Sequence, residues 1–500
     1  MMRARSSRSG HSSHSSHSGR SSEAAGAASA GSERRHRERG SRRDAARSRR
    51  DAAEAAAGPE DPLLTRLIVL GWIVGLLYFP SGLLHGVAGA VVYVRDLLMG
   101  FHLLASLFWL SRQGHLKWVA QHSWVFLITP VLLIPGVMDH NYTLEALRTC
   151  KWSICWLDWI VLGYLLRMNQ HWGQWFKLLG AVTLLMMCTE LVAGAIEWQT
   201  GSYLFPTSWN EKTALGVSRG NDQLLEGKMR IHGLQRDVFS FANVMGMNAV
   251  AGMACLALFR NSAVQLGGAL WACAFGFMMV VSGGRSALFG AFAAAVYTGW
   301  LLLAPVSAGK NGRRYVLAWV LIAIALSLVG VGKFTDFVGE QFLGGAHIGD
   351  SDSAYMRDNY WVKMRAAFVG QPLILVLGGP FVSLLDSKTD VMFHWADNQL
   401  LWNLYHTGII GSVAVIFFFY KVLENEPRES ERLTRQALIL FLLFVVGEGI
   451  ARESLTFIGC LPLFVLCGYD SAGQVINQRA PAPVSARRVR LARRSEGGQR

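Results

Sequence analysis

Apolar runs of roughly 18 to 22 residues recur between about residue 63 and residue 470. Each is long enough to cross a hydrocarbon core about 30 Å thick. Backbone inside lipid must satisfy its own hydrogen bonds, so such runs predict helices and little else. Charge supports this. Charged residues make up 16% of the chain, against roughly 25% in a soluble domain. The expected fold class is all-α, a polytopic transmembrane helical bundle of about twelve spans.

The expected spans lie at roughly 64–84, 88–110, 118–138, 145–167, 176–197, 238–259, 264–282, 286–304, 315–332, 399–420, 436–450 and 454–469. Arg95 and Asp96 interrupt the second. They either pair with each other or mark the start of a shorter helix.

The net charge of +14 is concentrated in the tails. Arg34-Arg35, Arg42-Arg43 and Arg49-Arg50 lie before the first span, and Arg487, Arg488, Arg490, Arg493 and Arg494 follow the last. Basic tails suit nucleic acid or anionic lipid. Here they read as cytoplasmic tails that fix orientation, and no nucleic-acid partner is expected. Residues 1–61 and 471–500 are expected to be disordered basic tails flanking a membrane domain at 62–470. His11, His14 and His17 read as low complexity. The first apolar run follows about sixty polar residues and reads as an uncleaved span. The seven cysteines form no CxxC pair and sit in or beside apolar runs, as small buried hydrophobes do.

With both termini inside, the inner loops hold Arg112 and Lys117, Arg167 and Lys177, Arg260, then Lys310, Arg313 and Arg314, and finally Lys421, Arg428, Arg432 and Arg435. The positive-inside bias therefore favours one orientation throughout. Two long outer segments follow from it, at about 198–237 and 333–398. The second is expected to hold short helices. One is capped by Asp352 or Ser353 and runs to about Phe368, before Gly370 and Pro372.

The outer face collects Arg219, Arg230, His232, Arg236, Arg285, Arg357, Arg365, His394 and Asp397. Arginines on the disfavoured side suggest an anionic ligand. Arg285 follows Ser282-Gly283-Gly284 and opens a helix, whose dipole and free N–H groups also attract anions. The alternative is a snorkelling arginine at the headgroups. Arg357 sits on the loop helix, one turn before Trp361, where it is either a ligand or part of a solvated face. His394 and Asp397 precede the tenth span and either could accept a proton. Asp350-Ser351-Asp352 resembles an acidic metal pair, but Asp352 serves equally as a helix cap. No metal and no cofactor are expected.

Three segments together resemble the O-antigen ligase and polymerase superfamily. The first is Arg230-Ile231-His232-Gly233-Leu234 with Phe241-Ala242-Asn243. The second is Ser282-Gly283-Gly284-Arg285-Ser286-Ala287-Leu288. The third runs from Ser353 and Arg357 through Trp361, Pro372-Leu373 and Gly378-Gly379 to Asp397-Asn398 and Gly408-Ile409-Ile410-Gly411. The similarity covers roughly residues 140–420. It implies a glycosyltransferase of the bacterial inner membrane, with 333–398 as a large periplasmic loop. The implied donor is a polyprenyl-diphosphate-linked glycan and the acceptor a glycan or lipid. Membrane lipid is a further partner, and a chain-length regulator or flippase are candidate protein partners. The implied transfer is inverting and metal-independent. Arg285 and Arg357, with Arg230 as a third, would hold the diphosphate, and Asp397 or His394 would be the base. Ligases of this family usually place His directly before the Asn matched to Asn398. Asp397 stands there instead, which tilts the expectation from ligase to polymerase. A transporter of an anionic lipid or solute is the rival from another class, although no internal repeat supports it. A non-catalytic envelope scaffold is the third.

Overall fold

A computed structural model of the chain describes residues 61–80, 83–84, 89–117, 119, 143–169, 174–204, 224–225, 228–229, 231–235, 238–282, 284–304, scattered positions between 312 and 321, 362, 364–379, 399–424, 431–449 and 458–479. The chain divides into Met1–Asp61 and Pro62–Arg500, and the elements below belong to the second unit. Its helices are α1 (Pro62–Tyr78), α2 (Gly89–Arg112), α3 (Thr143–Met168), α4 (Gln174–Thr200), α5 (Val238–Leu258), α6 (Ser262–Val281) and α7 (Arg285–Leu303). They continue with α8 (Pro372–Leu377), α9 (Gln399–Glu424), α10 (Arg432–Glu448), a 3₁₀ turn at Ile458–Cys460 and α11 (Leu461–Arg479). Beside helix and turn, a short antiparallel ladder pairs Leu224 with Met229 and Leu225 with Lys228.

The described helices other than α8, which falls in the expected 333–398 loop, overlap ten of the expected spans, and two spans are not covered. The 118–138 span lies outside the described residues apart from Val119, and 315–332 is described at only a few positions. Among the described residues, six helices are long and apolar enough to cross a membrane: Tyr93–Arg112, Trp175–Thr200, Val238–Leu258, Ser262–Val281, Ser286–Leu303 and Asn403–Glu424. Their outward faces suit lipid. On α2, Leu97, Phe101, Leu104 and Phe108 are 73%, 63%, 69% and 59% exposed, and their spacing forms one stripe along the helix. Water would not tolerate so long an apolar stripe on a soluble monomer.

Arg95 and Asp96 do not start a shorter helix. They lie inside α2, paired with each other at 3.0 Å. The last helix differs from expectation in the other direction. It continues to Arg479, so the expected tail at 471–500 begins helical. The physical cause lies in the packing. Arg435 of α10 meets Asp470 at 2.6 Å, and Asp470, Ser471 and Ala472 are buried. A polar helix end with a buried ionic partner is held in the bundle although its own sequence is not apolar.

Helices pack closely where glycines face one another, as expected of membrane helices whose backbones must approach. Between α5 and α6, a Cβ added at Gly252 would fall 2.6 Å from the Ala272 nitrogen. Between α3 and α11, one added at Gly468 would fall 1.9 Å from the Ile160 carbonyl. Trp156 stacks on Phe464, and Arg167 reaches Tyr469 further along both helices, so α3 and α11 run parallel. Helices α7 and α10 also approach closely, with Gly290 against Phe444 and Gly447 against Phe289.

Candidate functional site

Arg285 is the first residue of α7, and Gly284 caps the helix without any side-chain hydrogen bond. Glycine offers the first turn no side-chain acceptor, and the Gly284 carbonyl accepts from the Ala287 N–H at 3.1 Å. Gly284 seats on α5. A Cβ there would come 2.2 Å from the Cβ of Ala242, so a larger residue would lift the hairpin away. The next residue of α5, Asn243, donates from Nδ2 to Glu448 Oε2 at 2.5 Å. Asn243 Oδ1 is buried with no hydrogen bond among the described residues. One residue beyond Glu448, the Gly449 carbonyl accepts from the Gln399 N–H at 2.9 Å. Gln399 opens α9 immediately after Asp397-Asn398.

A chain of contacts thus runs from Arg285 through Gly284, Ala242, Asn243, Glu448 and Gly449 to Gln399. Segments over a hundred residues apart in sequence meet at one end of the bundle. The starts of α5, α7 and α9 and the end of α10 build this end.

The 231–235 segment is pinned to the C-terminal end of α4. Glu197 Oε2 accepts from the N–H groups of His232 at 3.0 Å and Gly233 at 2.8 Å, and Oε1 accepts from the Leu204 N–H at 3.1 Å. Glu197 is fully buried, and its carboxyl oxygens are occupied by these three backbone donors. Gly233 has φ +55°, a turn that favours glycine. The His232 ring stacks on Tyr203 at 4.5 Å between centroids. Gln235 Nε2 donates to the Phe79 carbonyl, which ties the segment to the end of α1.

The third segment is also drawn together. A helix described over 364–370 runs through Gly370, two residues past the expected end, and stops at Gln371, whose N–H donates to the Ala367 carbonyl, before Pro372 takes the first position of α8. Gly378 then adopts φ +95°. Helix α9 breaks at Gly408, whose φ of 62° and ψ of −168° suit only glycine. The two irregular points touch. A Cβ at Gly408 would lie 2.1 Å from the Val376 carbonyl, and one at Gly378 would lie 2.4 Å from that of His406. The Gly378-Gly379 and Gly408 motifs are therefore two sides of one contact.

For Arg285 the structure describes the backbone and its place at the start of α7. Arg230, Arg357, His394 and Asp397 lie outside the described residues. Sequence reasoning gave no partner to Glu448 and did not single out Glu197. Both are carboxylates in apolar runs, which is itself a signal of function or of a buried bond. It also missed a pair deep between α2 and α3. His102 Nδ1 meets Asp158 Oδ1 at 2.6 Å, Ser106 Oγ lies 3.2 Å from His102 Nε2, and all three are fully buried. Among the described residues, no group of three His, Cys, Asp or Glu side chains could hold a metal ion. Neither the models of known protein families nor the curated proteins give a match to this chain.

Proposed function

We propose that this protein is an integral-membrane glycosyltransferase that polymerises polyprenyl-diphosphate-linked glycan repeats at the outer face of a bacterial inner membrane. One observation carries the reading. The segments around Ala242-Asn243, Gly284-Arg285 and Gln399, which together resemble the O-antigen ligase and polymerase superfamily, meet at a single end of the helical bundle. Under the proposed topology of about twelve spans, that end faces away from the cytoplasm.

The chemistry follows from charge. An acceptor hydroxyl attacks the anomeric carbon, the bond to the diphosphate breaks, and negative charge develops on the leaving group. Fixed cations placed where that charge appears lower the barrier. Arg285 has this role with Arg357, and Arg230 is the third cation. Asp397 or His394 takes the proton of the attacking hydroxyl. The donor's lipid tail lies along the apolar helices.

Analysis of surface glycan length in a bacterium lacking the protein tests the proposal. Loss of long chains, with single repeats still attached to the surface lipid, is the expected result. Long chains accumulating on the carrier lipid would assign the ligase reaction instead. An unaltered glycan profile would refute both.

A further inference from the structure

Asp96 is the meeting point of three helices. Its Oδ1 accepts from the Tyr78 hydroxyl of α1 at 2.9 Å and from Arg95 Nε and Nη2 at 3.1 and 3.0 Å. Its Oδ2 lies 2.7 Å from Lys151 Nζ of α3. The Arg95 guanidinium also lies over the Tyr78 ring, 3.9 Å from its centroid. Two positive charges thus share one carboxylate. Among the described residues neither cation pairs with a second one.

The cluster reaches the surface of the bundle. The Arg95 side chain is 5% exposed, while those of Lys151 and Asp96 are 31% and 26% exposed. Leu97 on α2 and Ile154 on α3 are exposed apolar neighbours in sequence. Excess positive charge beside hydrocarbon is costly unless an anion neutralises it. The geometry is also prepared for one. Asp96 and the Tyr78 ring fix the plane of the guanidinium, so little freedom is lost when it binds. Arg95 Nη1 makes no hydrogen bond among the described residues, and Lys151 spends one contact on Asp96.

We propose that Arg95 and Lys151 form a binding site for the phosphate of an anionic lipid, with its tail against the exposed faces of α2 and α3. The site goes beyond the glycosyl-transfer reading and stands without it. It is nevertheless near the motif segments, because Phe79, next to Tyr78, accepts the hydrogen bond from Gln235.

Native mass spectrometry of the full chain tests the site, with phosphatidylglycerol, phosphatidylcholine and inorganic pyrophosphate as separate probes. The unmodified protein is expected to retain phosphatidylglycerol over phosphatidylcholine. Lys151→Gln should weaken that binding by on the order of tenfold, the effect of one charge-assisted hydrogen bond. Lys151→Arg should keep it. Displacement of phosphatidylglycerol by pyrophosphate would show that the phosphate group suffices. Lysine-dependent lipid binding without displacement would assign the lipid as the source. Equal retention of the two lipids by the unmodified protein overturns the proposal without recourse to any variant. So does wild-type affinity in Lys151→Gln.

Discussion

Arg285→Ala is expected to abolish polymer formation in cells while the protein still inserts at normal levels. Arg285 opens α7, directly after a glycine cap. A leaving diphosphate there would meet a guanidinium at the positive end of a helix. A charge-assisted hydrogen bond contributes roughly 1.5–3 kcal/mol, or about 10- to 150-fold in rate if it is made in the transition state. With Arg357→Ala added, the combined loss should exceed about a hundredfold. Arg285→Lys keeps the charge but not the planar fork, so it should restore only part of the activity. Purified protein given lipid-linked repeats measures this directly. Normal transfer by both alanine variants would remove the diphosphate from the account.

The second large effect concerns stability at the opposite end of the bundle. Arg435 and Asp470 are 6% and 2% exposed in their side chains and meet at 2.6 Å. Arg167 reaches Glu431 at 2.9 Å nearby, so α3, α10 and α11 share this ionic end. Arg435→Met removes the cation facing a buried carboxylate, which typically costs about 3–5 kcal/mol. The double variant Arg435→Met/Asp470→Leu should recover most of that loss, because a buried pair replaced by apolar side chains is often near neutral. Unfolding of the purified protein in detergent is the measurement. Equal stability of the single variant and the wild type would show that the pair contributes nothing. Activity per folded molecule should be unchanged, since this end carries none of the motif segments.

The two predictions also mark what could be read from residues alone. The apolar runs located the described helices, because lipid imposes length and hydropathy on each span separately. Local chemistry placed the start of α7 at Arg285 and the break before Pro372. Pairings between helices were not legible. Asn243 and Glu448 are 205 residues apart, and nothing in either span says which neighbour it meets. Lys151 was hidden for the same reason: the sequence offered Arg95 a partner in the next residue, while the third member came from α3. The helical extension past residue 470 was also invisible, because Arg435 on α10 supplies its anchor. A polar stretch reads as tail until its partner is known.

The proposed cations must share one compartment to act on one diphosphate. Cysteines introduced as Arg285→Cys and Arg357→Cys, in a background lacking the native thiols, can be probed in intact cells with a membrane-impermeant maleimide. Labelling of both positions without permeabilisation is the expected result. Labelling of either only after the membrane is opened would place it on the cytoplasmic side, apart from a periplasmic lipid-linked donor, and would contradict the proposed site.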